Sequence, residues 1–157
     1  MSQAAVVIDL DGALGDTRPV WDAFVEHLAR RFAAIEPLDP SELSSDRTQA
    51  AKQLDTWAAS GVGDWRGQLT RFAEDHLPVH VRPDARAMSA LRSLASSGAE
   101  MTVESDAPQE LVDVAAAHLG LSRLAARCDG GVSRPGPEAP ANYVSSAAEL
   151  ESLLGAD

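Results

Sequence analysis

The stretch Val6-Val7-Ile8-Asp9-Leu10-Asp11-Gly12-Ala13-Leu14-Gly15-Asp16-Thr17 decides how this chain is read. It continues an apolar run, residues 4–8, that is β-branched at its end and stops at an Asp/Gly-rich turn. That is the pattern of a strand buried on both faces in a parallel sheet. Just beyond stand two carboxylates at i and i+2, Asp9 and Asp11, which project to one side of an extended segment. In open α/β sheets ligands bind at this carboxyl edge. Two such carboxylates can hold a hard divalent cation through oxygen, and their pKa values can be driven apart so that one stays ionised while the other carries a proton. An Asp-x-Asp-Gly sequence is equally a polar turn, because Asp and Gly favour turns for backbone reasons alone. It is not an EF-hand loop, since the acidic spacing and terminal Glu are absent.

Outward from this stretch, apolar residues recur four apart at Val20, Phe24, Leu28 and Phe32, and predict a helix over 19–34 between Pro19 and Pro37. Residues 36–48 read as a loop. Two helices, 50–59 and 65–76, are expected on either side of Ser60-Gly61-Val62-Gly63. A helix over 83–97 ends at Gly98, a strand follows at 99–104, and a helix over 108–119 closes at Gly120. A short strand ending at Cys128-Asp129-Gly130, another at 141–145 and a helix at 147–154 complete the pattern. Strands alternating with helices define an α/β class, with a Rossmann-like parallel sheet flanked by helices and one helical insertion after the first strand.

Composition narrows the partners. At 157 residues, 45% hydrophobic and 24% charged, the chain suits one ordinary globular domain. Its 24 acidic residues against 13 basic ones give a net charge of −11, which repels nucleic-acid backbones and anionic membranes. A phosphate-ester substrate would need local positive charge or a divalent cation. Cys128 is the single cysteine, no segment reads as a leader, and no apolar run approaches the about 20 residues needed to span a bilayer. A cytoplasmic protein without nucleic-acid or membrane partners is expected; nothing fixes its oligomeric state.

Residues 6–17 resemble the first motif of haloacid-dehalogenase-superfamily phosphatases, in the phosphoglycolate-phosphatase-like branch. Asp16-Thr17 keeps the motif's usual ending, while Ala13 replaces its threonine. The resemblance continues through a helical cap, a helix leading to Gly98, a strand with a following Ser/Thr, and a helix ending His118-Leu119-Gly120-Leu121. It implies a core made of 1–17 and 82–157 and a cap at 18–81. It also implies that Asp9 attacks phosphorus to form an aspartyl-phosphate, and that Asp11 protonates the leaving oxygen and then activates water. Asp9 and Asp11 would hold magnesium, Asp11 through its backbone carbonyl. Phosphate would be met by Gly12, by Ser105 at the second motif, and by Arg134 at the position of the third-motif lysine. Arginine keeps the charge there but not the ammonium geometry.

The resemblance also predicts losses. Where the fourth motif carries Gly-Asp, Tyr143-Val144 is followed by Ser145-Ser146, with only Glu149 nearby. Hydroxyls replace carboxylates poorly around a hard cation, so magnesium affinity should fall. Few residues separate Pro137 from Tyr143, too few for the usual helix, and Glu104 stands where an apolar residue is normal. The single lysine, Lys52, falls in the cap. The four histidines lack metal-ligand spacing, with His118 placed to cap a helix, and Trp21, Trp57 and Trp65 read as packing residues. Two functions follow. One is a weak magnesium-dependent phosphohydrolase acting on a small phosphorylated metabolite. The other is a catalytically degenerate relative serving as a binding, regulatory or assembly module.

Overall fold

The computed structural model describes residues 5–155; Ala4 of the expected first strand, and residues 1–3 and 156–157 of the expected core segments, lie outside the described residues. Four parallel strands form one sheet in the order β3-β2-β1-β4. They are β1 (Val6–Asp9), β2 (Met101–Glu104), β3 (Arg127–Asp129) and β4 (Tyr143–Val144). Register pairs Ile8 with Val103 on one side of β1 and with Val144 on the other. All three are buried, as a parallel sheet covered on both faces requires.

The helices are α1 (Arg18–Arg31), α2 (Arg47–Ala58), α3 (Trp65–His80), α4 (Ala85–Ser96), α5 (Gln109–Leu119) and α6 (Ala147–Ser152). Their ends are chemically marked. Asp84 accepts from the backbone N–H groups of Arg86 and Ala87 to start α4, which ends at Gly98 with φ +86°. Gly120, at φ +71°, ends α5 in the same way. The expected elements are all present, with shifted ends. α1 stops at Arg31 instead of 34, and α2 begins at Arg47 instead of 50. α3 runs through Pro78 to His80, four residues past its expected end.

The inserted segment does not stand away from the sheet. α3 packs along α5 and against α1, and one apolar cluster joins Phe24, Leu54, Leu69 and Leu77 of the insertion to Ile8, Val103, Leu111 and Leu121. Trp21 and Trp65 pack edge to face within it, their ring centroids 6.2 Å apart, as expected of packing residues. No helix among the described residues is long and apolar enough to cross a membrane.

Chain order reverses around β1: β2 and β3 extend the sheet to one side, and β4 returns to the other. Such a switch point opens a crevice beyond the carboxyl ends of the strands. Asp9 ends β1 there, and residues 10–14 leave it as a π-helical turn.

Candidate active site

The turn after β1 is built for close approach. A Cβ placed on Gly12 would collide with the carbonyl oxygen of Ser145 and come within 2.8 Å of Asp9 Oδ2. Glycine is therefore needed to let the β4 exit pass beside the first carboxylate. Gly12 is exposed at this edge.

Asp11 is turned inward and fully engaged. Its Oδ1 accepts from the backbone N–H of Thr17 at 2.8 Å and from Thr17 Oγ1 at 2.5 Å. Its Oδ2 accepts from Ser105 Oγ at 2.7 Å and from Arg47 Nη2 at 2.7 Å. Ser105 thus spends its hydroxyl proton on Asp11, while its oxygen accepts from the Ala107 N–H at 3.1 Å. The sequence singled out Asp11 and Ser105, and the structure joins them to each other.

Arg47 is the residue that sequence reasoning missed. Only 3% of its side chain is exposed, although it comes from the insertion, at the first turn of α2. Besides Asp11 it reaches Asp106, with Nε donating at 3.0 Å and Nη2 at 2.8 Å to Oδ1. The Arg47 backbone N–H donates to the other Asp106 oxygen at 3.0 Å, and Nη1 donates to Thr17 Oγ1 at 2.8 Å. With Nη2 also 3.3 Å from Ser105 Oγ, one guanidinium bridges two carboxylates and two hydroxyls from two separate stretches of chain. Beside it, Thr48 Oγ1 lies 3.0 Å from Ser133 Oγ, which donates to Asp46 at 3.2 Å and ties the start of α2 to the loop after β3.

Asp9 has a different environment. Its side chain is 1% exposed; Oδ2 receives Arg134 Nη2 at 2.6 Å, and Oδ1 has no hydrogen-bond partner among the described residues. Arg134, about half exposed, comes from the loop before β4 and also meets Tyr143. The predicted third-motif position therefore reaches the predicted nucleophile.

These surroundings drive the two carboxyls apart. Burial pushes the Asp9 carboxyl above the usual range and Asp11 adds to the rise, while Arg134 offsets only part of it. Burial would also raise Asp11, but the Arg47 guanidinium and the Thr17 and Ser105 hydrogen bonds outweigh it and hold Asp11 below the usual range. Of the two, Asp11 is the stronger acid and Asp9 the weaker.

As arranged, these donors do not fit magnesium. Asp9 offers one unpartnered oxygen, with a guanidinium on the other. Glu149 caps the start of α6, its carboxylate accepting from the Ser145 N–H at 2.9 Å and from Ser145 Oγ. Among the described residues, no group of three His, Cys, Asp or Glu side chains could hold a metal ion. Magnesium takes one or two carboxylates and keeps several waters, and at this edge, among the described residues, it would meet one unengaged carboxylate oxygen, Asp9 Oδ1, beside a guanidinium.

No family model matches the sequence, and no curated protein does. Solved structures do match in shape. CbbY from Rhodobacter sphaeroides, in complex with phosphate, superposes with a TM-score of 0.58 at 12% identity, covering 81% of this chain and 63% of that one. A predicted phosphoglycolate phosphatase from Haemophilus somnus 129PT gives 0.51 at 17% identity, covering 84% and 64%. A candidate phosphoglycolate phosphatase from Lactobacillus plantarum gives 0.53 at 12% identity, covering 100% and 85%. The chain thus shares its fold with these structures, the fold that the resemblance to haloacid-dehalogenase-superfamily phosphatases implied. The chain spans 64% and 63% of the first two chains, a little under two thirds.

Proposed function

We propose that this chain is a haloacid-dehalogenase-fold protein whose catalytic edge serves as a structural junction, and that it works as a binding or assembly module rather than as a phosphohydrolase. The ion pair between Arg47 and Asp11, 2.7 Å long and nearly out of solvent, carries the reading. Hydrolysis by two carboxyls needs the first ionised to attack phosphorus and the second protonated to serve the leaving oxygen. Here the surroundings make Asp11 the stronger acid of the two, the opposite of what an acid–base role for Asp11 calls for. An entering phosphate dianion would also meet Asp9, Asp11 and Asp106, while Arg47 and Arg134 are already paired with these carboxylates and the nearby Arg18 is paired with Asp16. The lone cysteine and the acidic surface charge favour a cytoplasmic setting without nucleic acid.

A second reading, weak hydrolysis of a small phosphorylated metabolite through an Asp9 aspartyl-phosphate, is favoured by one observation. Asp9 Oδ1 is buried without a partner among the described residues at the sheet edge, where a reacting group would lie. Release of an aryl phosphate's chromophore in millimolar magnesium, by the wild type and by Asp9→Asn, separates the two. Equal background rates are expected; turnover abolished by Asp9→Asn would overturn the binding-module reading.

A further inference from the structure

A parallel sheet needs cover on both faces, and here only one face is fully supplied with it. On that face Ile8, Val103 and Val144 point into the apolar cluster with Leu91 of α4 and Leu111 of α5. Register sets Tyr143, Val7, Thr102 and Arg127 side by side across all four strands, on the opposite face. Val7, Thr102 and Tyr143 are only half-buried there, and Arg127 is exposed. Among the described residues Ile8 belongs to the apolar cluster and Val6 packs against it, whereas Val7, between them, does neither.

The path of the chain explains the bare face. The steps from β1 to β2 and from β2 to β3 cross the sheet in one direction, so right-handed connections put α4 and α5 on the same side. The return from β3 to β4 runs the other way and passes over the opposite side. That connection, residues 130–142, contains no helix and is exposed along most of its length. α6, which follows β4, packs along α4.

The bare face is also acidic. Glu100 and Glu104 flank Thr102 on its own side, one exposed and one half-buried. Neither is within ion-pair distance of a basic side chain among the described residues. The arginines on this side are taken: Arg127 Nε lies 3.5 Å from Asp129, and Arg134 Nη2 lies 2.6 Å from Asp9. An apolar centre bordered by unpaired carboxylates is complementary to an apolar stripe bordered by lysine or arginine. A second copy of this chain would instead set the same carboxylates against each other, in a molecule whose net charge is already −11.

We propose that the face carrying Val7, Thr102 and Tyr143 docks a basic amphipathic helix of a partner protein, laid where a crossover helix would otherwise cover the sheet. The apolar side of that helix rests on Val7 and the Tyr143 ring, and its basic border meets Glu100 and Glu104. The face is bare whatever happens at the Asp9 edge, so the inference does not rest on the Arg47 junction.

The test adds to the full chain a synthetic peptide of about 18 residues, with leucine at i, i+3, i+4 and i+7 and lysine elsewhere. One control peptide has the same composition with its leucines dispersed around the helix, and another has glutamate in place of lysine. Saturable shifts of the backbone amide NMR signals of Val7, Thr102, Arg127 and Tyr143, with those of α1 and α3 unmoved, are expected from the first peptide only. Glu100→Lys and Glu104→Lys should each weaken its binding about fivefold. Glu74→Lys, the same charge change on exposed α3 surface, should not. Equal binding by either control peptide, or equal weakening by Glu74→Lys, would reveal general attraction or stickiness and overturn the proposal. So would a lack of saturation up to about 1 mM peptide. Shifts of the same amides when the chain alone is concentrated would assign the face to a second copy and overturn it as well.

Discussion

Arg47 and Asp11, far apart in sequence, meet through Nη2 and Oδ2 at 2.7 Å with 3% and 1% of their side chains exposed. Removing one member of such a pair leaves the other charge buried and uncompensated. Arg47→Met should therefore cost about 3–5 kcal/mol of unfolding free energy, because Asp106 loses the same partner. Urea denaturation measures it. A loss under about 1 kcal/mol would mean that the junction is not held by this guanidinium.

Asp11 sets an acid limit on stability. Its folded pKa lies below the ordinary value of 3.8, so its contribution is fully present above that value and is lost as pH falls through the lower folded one. The urea midpoint of the wild type should drop steeply below about pH 4, and Asp11→Asn should flatten that limb while lowering stability at neutral pH. Parallel profiles for the two proteins would refute the pairing.

Asp9 acts with the opposite sign. Its folded pKa is raised, so ionising it in place costs stability as pH rises from 3.8 through that raised value. Asp9→Asn removes this cost and leaves Arg134, about half exposed, to water. The variant should melt at a higher temperature than the wild type at neutral pH, with the gain fading in acid. A lower melting point at neutral pH would show that the Arg134 contact outweighs burial.

Gly12→Ala probes the turn itself. The new methyl would press on the Ser145 carbonyl oxygen and stand 2.8 Å from Asp9 Oδ2. Overpacking of this kind costs about 1–3 kcal/mol, which chemical denaturation would register. A neutral result would show that the β1 turn and the β4 exit are not held together.

Much of this architecture was legible in residue order, for local reasons. The run into Asp9, the period of four from Val20 to Phe32, and the glycines at 98 and 120 each act within a few residues, and each marks a real element. Arg134, expected to meet phosphate, lies with Nη2 2.6 Å from Asp9 Oδ2. Arg47 was not legible. It lies in a polar stretch that reads as loop, and its partner Asp106 is 59 residues away. Asp46 followed by Gln49 is a helix-start pattern that would have opened α2 at Arg47. Nothing local, however, says that this arginine turns into the core. α3 continues past its expected end at 76 and through Pro78, with Leu77 and Val81 buried around the proline.

The carboxyl carbon signals of Asp9 and Asp11, followed by NMR across an acid titration, test the central claim most directly. The junction predicts that Asp11 titrates below the ordinary carboxylate value and Asp9 above it. The reverse order, with Asp9 ionising first and Asp11 holding its proton longer, would contradict it and restore the protonation pattern that a phosphohydrolase requires.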